Sequence, residues 1–270
     1  MEILSRKEQT RLLNRYGKWA LISGASSGIG LALAKQLAAA NFNLVICARS
    51  TAALEQLRNQ LMSEHKVAVL VVSADLSTER GVEELIQATY NLPVGLFIAS
   101  AGFGTSGEFI KSDLKSEVNM LHVNAEALLK LTHHFAQRFA TQKSGGIILL
   151  SSLVSFQGTP FAAHYAATKA YVQSLAEGLA VELKPYSVDV LAAAPGPVRT
   201  GFEARANMKM NMALNPDEIS VPILEALGRK TTVLPGFLTK LLTYSLSTVP
   251  RWAKVQIMKQ VMGGMTAHQR

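Results

Sequence analysis

Residues 19–30 read W-A-L-I-S-G-A-S-S-G-I-G. An apolar run, Trp19–Ser23, leads straight into a glycine-spaced turn. Residues 29–41 then continue at helix period. Glycines at 24, 28 and 30 permit a tight turn and let backbone N–H groups approach a pyrophosphate at the helix N-terminus. A capped loop of no special function also uses such residues. What distinguishes this turn is its place at the first strand–helix junction of the chain. Its spacing is G-x-x-x-G-x-G, not the G-x-G-x-x-G of many dinucleotide sites.

Working outward, similar apolar runs recur at Asn43–Ala48, Val67–Val72, Val94–Ala99, Ile147–Ser151 and Val188–Ala193. Helix-period segments near 51–64, 78–91, 113–141 and 163–184 separate them. Continuous hydrophobicity means that both faces of each strand are covered, as in a parallel sheet between helices. Strand–helix alternation predicts an α/β fold, a Rossmann-type doubly wound parallel sheet. After Pro195-Gly196-Pro197 come a Met-dotted stretch, a helix over about 216–228 and a short strand at Thr231–Leu234. A tail over 237–264 reads as two helices broken at Pro250. No linker or repeat divides the 270 residues. The expectation is a single domain, with a core over about 17–235 and a helical extension over about 236–264.

Composition narrows the function. Hydrophobic residues make up 49% and charged residues 17%, which excludes disorder. One cysteine, Cys47, leaves no internal disulfide and no Cys-based metal cluster, and the six His lack H-E-x-x-H spacing. The first residues show no secretory pattern and no run is long enough to span a bilayer, so the expected location is cytoplasmic. Lys and Arg number 17 against 15 acids through residue 198, and 10 against 4 afterwards. The net +8 therefore sits mainly in the C-terminal quarter, and no motif supports nucleic-acid binding.

The chemistry-bearing residues fall at strand ends. Ala48-Arg49 closes the second strand, where an acid would bind the ribose hydroxyls of NAD and a guanidinium suits the 2′-phosphate of NADP. Asp75, after the third strand, either reaches the adenine or serves a turn. Tyr165 and Lys169 are four apart and share a helix face, and a nearby ammonium lowers a phenol's pKa toward working pH. Ser152, thirteen residues before Tyr165, either polarises a substrate oxygen or satisfies its own loop. Asn124 lies in the middle of the 113–141 helix, catalytic or simply hydrogen-bonded. Taken singly, each has an ordinary structural reading.

Taken in order, they resemble the short-chain dehydrogenase/reductase family over about residues 17–200. The match comprises S-G-A-S-S-G-I-G, Asp75, Asn124, Ser152, Tyr165 with Lys169, and P-G-P-V-R-T at 195–200. The resemblance implies hydride transfer between NADP(H) and a carbonyl/alcohol pair. It makes Tyr165 the proton donor, Ser152 the polarising hydroxyl, and Lys169 the holder of the nicotinamide ribose. Asn124 would support a water. Cofactor contacts are implied for Gly24, Ser26, Ser27, Gly28, Ile29 and Gly30, for Arg49, Asp75 and Leu76, and for Ala101 and Gly102. They extend to Tyr165 and Lys169, and to Pro195, Gly196, Val198 and Thr200, the last at the carboxamide. Ser23 replaces the family's Thr, and A-S-A-G at 99–102 replaces N-N-A-G, which questions the local bracing of the sheet. A non-enzymatic NADP(H) sensor and an NAD-linked alcohol dehydrogenase are the competing readings. The intact Tyr/Lys pair and Arg49 speak against them.

Substrate identity rests on the segment after Thr200. Phe202, Met208, Met210, Met212 and Leu214 either contact an apolar carbonyl compound or pack a lid on the body. The two long helices resemble the family's shared pair and imply a homodimer or homotetramer, with Leu128, Leu131, Phe135 and Phe139 divided between sheet and partner. The tail combines apolar residues with Lys240, Arg251, Lys254 and Lys259. It either packs on protein or makes peripheral contact with an anionic membrane.

Overall fold

The computed structural model describes residues 3–210 and 213–269. Met212, one of the lid methionines, lies outside the described residues. In chain order the elements are α1 (Arg6–Tyr16), β1 (Trp19–Ser23), α2 (Gly28–Ala39), β2 (Asn43–Ala48), α3 (Thr51–His65), β3 (Val69–Ser73), α4 (Glu79–Ala88) and β4 (Val94–Ala99). Then follow α5 (Leu114–Leu121), α6 (Leu128–Gln142), β5 (Gly145–Leu150), α7 (Ala163–Glu182), β6 (Val188–Ala193), α8 (Phe202–Arg205), α9 (Pro216–Ala226), β7 (Thr232–Val233), α10 (Phe237–Ser247) and α11 (Arg251–Met265).

The strands form one parallel sheet of order β3-β2-β1-β4-β5-β6-β7. The direction of winding reverses between β1 and β4, and ligands bind outside the carboxyl ends of the strands at such a reversal. Alternate residues feed two cores. Ala20, Ile22, Leu44, Ile46, Leu96 and Ile98 face one side, with Leu33, Leu37, Ile223 and Leu224. Leu21, Val45, Cys47 and Phe97 face the other, with Leu131, Phe135, Phe139 and Val172. Phe97 stacks on Phe135 at 4.8 Å between ring centroids. Apolar side chains on both strand faces are therefore used, which is why the strands read as unbroken runs.

Four differences from expectation have physical causes. The third and fifth strands are shifted, to 69–73 and 145–150, because register against β2 and β6 sets their limits. The helix expected over 113–141 is interrupted by a π-helical turn, His122–Ala127, which carries Asn124. Leu128, Leu131, Phe135 and Phe139 all point into the core, so none of them offers a partner surface. The N-terminal helix α1 was not expected. The Ser5 hydroxyl accepts from the Glu8 amide at its start, and Leu12 and Tyr16 bury one side.

Arg11 of α1 donates to the carbonyls of Leu224, Glu225 and Leu227 at the end of α9 (3.2, 3.3 and 2.8 Å). Glu8 pairs with Arg229 at 2.6 Å. The helix thus satisfies carbonyls that α9 leaves open at its C-terminus.

Candidate active site

A cleft of about 1170 Å³ opens along the carboxyl ends of the strands. Its floor begins at the glycine turn. Gly24 and Gly28 both have positive φ, +72° and +58°. A Cβ on Gly24 would lie 2.7 Å from the Ala101 backbone, and one on Gly28 would lie 2.8 Å from Thr200 Cγ2. Side chains are excluded at both, and the backbone is brought to the cleft. Ser27 is the N-cap of α2, but its side chain makes no capping hydrogen bond, and no acid lies in the first helical turn. The leading amides of a twelve-residue helix are left facing an anion site. A dinucleotide pyrophosphate fits this cradle.

The other implied cofactor contacts line the same cleft: Ser26, Ile29, Arg49, Asp75, Leu76, Ala101, Gly102, Pro195, Gly196, Val198 and Thr200. Gly30 lies beneath, against the Gly24 carbonyl. Asp75 accepts from the Ser77 amide and hydroxyl (3.0 and 2.9 Å), so its carboxylate braces a turn while its residue borders the cleft. Burial pushes its pKa upward, but the Ser77 bonds and the charge of Arg49 outweigh that and hold it below the ordinary value. The concern over A-S-A-G is answered by Ser23. Its hydroxyl accepts from the Ala101 amide at 3.2 Å and reaches the Ile98 carbonyl at 3.5 Å, joining β1 to the end of β4.

At the far end stand Ser152, Tyr165 and Lys169, brought together by the loop after β5 and the first turns of α7. Burial raises the Tyr165 phenol to about 12, and a hydrogen bond from Ser152 acts in the opposite sense. The expected lowering by Lys169 is not found. The Lys169 Nζ lies 5.9 Å from the ring centroid and donates instead to the Leu150 carbonyl at 2.7 Å. Burial also pushes Lys169 down, to about 8. Desolvation disfavours both charged forms and dominates here.

Asn124 does not line the cleft. Its Oδ1 accepts from the Phe103 amide (3.1 Å), and its Nδ2 donates to the Phe103 carbonyl (2.8 Å) and to Thr168 Oγ1 (3.1 Å). The amide side chain is spent on bracing the loop after β4 against α7. Both polar atoms of the side chain are thus engaged with protein groups.

The substrate end is apolar. Ala162, Ala206, Met208, Met258 and Met262 form a separate buried cluster, with Tyr165, Phe202 and Met265 packed on it. Met258, Met262 and Met265 come from α11, so the tail supplies a wall of the cleft. Their i, i+4, i+7 spacing was readable as one helix face, but nothing in it said that the face borders a ligand. Arg205, on the lid helix α8, carries no sequence signal of its own. Its guanidinium lies 3.6 Å from the Phe103 ring centroid at the cleft edge.

His268 and Gln269 latch this lid. Gln269 donates to Ser106 Oγ (2.8 Å) and to the Asn207 carbonyl, and Ser106 Oγ donates to the Ala206 carbonyl (2.6 Å). The His268 ring and Asn207 Oδ1 are 3.0 Å apart.

Fold and cleft together define an oxidoreductase that uses a nicotinamide cofactor. The chain belongs to the short chain dehydrogenase family, whose model matches residues 18–211. It moves hydride between a nicotinamide and a C=O or CH–OH group of a small molecule. A 7beta-hydroxysteroid dehydrogenase of Clostridium sardiniense is 32% identical over 230 residues, 84% of this chain and 88% of that one. A structure described as giving insights into 7beta-hydroxysteroid dehydrogenase stereoselectivity superposes with a TM-score of 0.84 at 28% identity, covering 92% and 98% of the two chains. A short-chain dehydrogenase from Sphingobium yanoikuyae in complex with NADPH gives 0.77 at 29% identity, covering 90% and 94%.

Proposed function

We propose that this protein is a cytoplasmic, homo-oligomeric, single-domain reductase of bulky apolar ketones that prefers NADPH. The observation that carries this reading is one cleft with two unlike ends. Arg49, with no acid at Ala48, borders the adenosine end, and Met and Phe side chains enclose the Tyr165 end. The similarity to a hydroxysteroid dehydrogenase and to an NADPH complex supports it.

When bound, the nicotinamide supplies the hydride. The leading amides of α2 hold the pyrophosphate, and Arg49 takes the 2′-phosphate through charge-assisted hydrogen bonds. Ser152 and Tyr165 orient the substrate oxygen. A phenol raised to about 12 is protonated at neutral pH, which is the form needed to give a proton to a carbonyl being reduced. The phenolate left behind is stabilised by the Ser152 hydroxyl, and Lys169, which lines the cleft, would hold the nicotinamide ribose. Thr200, Pro195, Gly196 and Val198 line the cleft at the nicotinamide end. Asn124 acts through position, by fixing Phe103 and Thr168.

Tyr165→Phe tests the reading. The ring and its packing on Phe202 at 5.1 Å remain, and only the proton donor is lost. Turnover of ketones with NADPH should fall at least about a hundredfold while NADPH binding persists. Undiminished turnover would remove Tyr165 from the mechanism.

A further inference from the structure

The outer side of the two C-terminal helices carries apolar surface that the core does not use. Residues 237, 240, 241 and 244 share one face of α10. Phe237 and Tyr244 on it are 80% and 67% exposed, Leu241 is exposed beside them, and Lys240 lies among them. Trp252, beside Arg251 at the start of α11, is 73% exposed. Seven Lys and Arg follow Glu225, and no acid does. The opposite side of the same helices lines the cleft through Leu242, Leu246, Met258 and Met262. Ile257 and Val261 are both exposed and cleft-lining. Apolar side chains therefore run from the outer surface to the chamber that holds Tyr165.

We propose that this face docks on an anionic lipid bilayer and that the apolar ketone enters the cleft from the docked membrane. The second half rests on the reductase reading above. Exposed Phe, Tyr and Trp beside Lys and Arg suit the interfacial region, where rings enter the headgroup layer and cations meet lipid phosphates. A second copy is a poor occupant, because a self-complementary contact would oppose two surfaces of the same positive sign. Among the described residues no helix is long and apolar enough to cross a membrane, so the contact is with the surface.

Co-sedimentation of the full chain with phosphatidylcholine vesicles, with and without phosphatidylglycerol, tests the docking. Binding should require the anionic lipid at low salt and be released at high salt. A Lys240→Gln, Arg251→Gln, Lys259→Gln variant should lose about fivefold in partition for each charge removed. Phe237→Ser with Trp252→Ser should weaken binding as well. None of these residues lines the cleft, so NADPH-dependent turnover of a small water-soluble ketone should be unchanged in both variants. A chain that stays in the supernatant with anionic vesicles at low salt overturns the proposal. So does binding that survives both variants. Variants that alter the light-scattering mass without affecting vesicles would assign the face to a second copy instead. Vesicle binding without reduction of any ketone would keep the docking and remove the substrate route together with the reductase reading.

Discussion

Arg49 and Lys169 carry opposite lessons about charge. Arg49 stands at the cleft edge, where a phosphate can meet it without deep desolvation. Arg49→Ala should weaken NADPH by about ten- to a hundredfold and leave NADH nearly unchanged, since only NADPH presents the extra phosphate. Isothermal titration with both cofactors measures this, and equal weakening would make Arg49 structural. Lys169 is buried, and its pKa falls from the ordinary 10.5 to about 8. Below about pH 8 both folded and unfolded chains carry the charge, and the folded chain bears the full cost of burying it. Between about 8 and 10.5 the unfolded chain binds more protons, so this cost fades as pH rises. Lys169→Met should therefore abolish turnover yet raise stability by roughly 1–3 kcal/mol at pH 7, less what the Leu150 carbonyl loses as its partner goes. The gain should shrink toward pH 10. Denaturant unfolding at the two pH values checks it, and a Met variant less stable at pH 7 would contradict it.

Among the elements, the lid latch is the most exposed to test. Residues 267–269 hold the segment after α8 through Ser106 and Asn207. Removing residues 267–270 should raise KM for a bulky ketone about three- to tenfold, the effect of one or two hydrogen bonds, with NADPH affinity unchanged. Steady-state kinetics with a bulky and a small ketone decides it; an unchanged KM would make the turn ornamental. Elements also show what could be read beforehand. β1, β2, β4 and β6 were legible to the residue because burial on both faces leaves uninterrupted apolar runs. α1 was not, because R-K-E-Q-T-R hides a buried stripe of few residues, although Ser5 and Glu8 are spaced as a helix start. The π turn at 122–127 left no mark, since one extra residue per turn barely disturbs an apolar period. The Tyr165/Lys169 pairing was visible as a spacing, but the direction of the Lys169 side chain depends on the Leu150 carbonyl, which only the folded chain brings near.

At the scale of the whole molecule, the outward faces of α5 and α7 keep apolar side chains in solvent, among them Leu114, Val118, Leu121 and Val181. A shallow groove on α7, with Tyr171, Leu175, Gly178 and Leu179, adjoins them. If the chain assembles as proposed, these residues, rather than Leu128, Leu131, Phe135 and Phe139, would form the shared surface. Light scattering should give at least twice the 29.1 kDa chain mass at micromolar concentration, and Val181→Glu should lower it. A wild-type monomer would contradict the oligomer.

The stitching of α1 to α9 has a consequence for how the chain is made. Partners of Arg11 and Glu8 lie 213 to 221 residues downstream. α1 leaves the ribosome long before α9 and is thus among the last elements to find all its partners. The Arg11 and Glu8 contacts wait until most of the message has been translated, and the side of α1 that meets α9 stays open as long. Vectorial synthesis leaves this protein with a late closing step, and its nascent form presents to chaperones the surface that the finished fold hides.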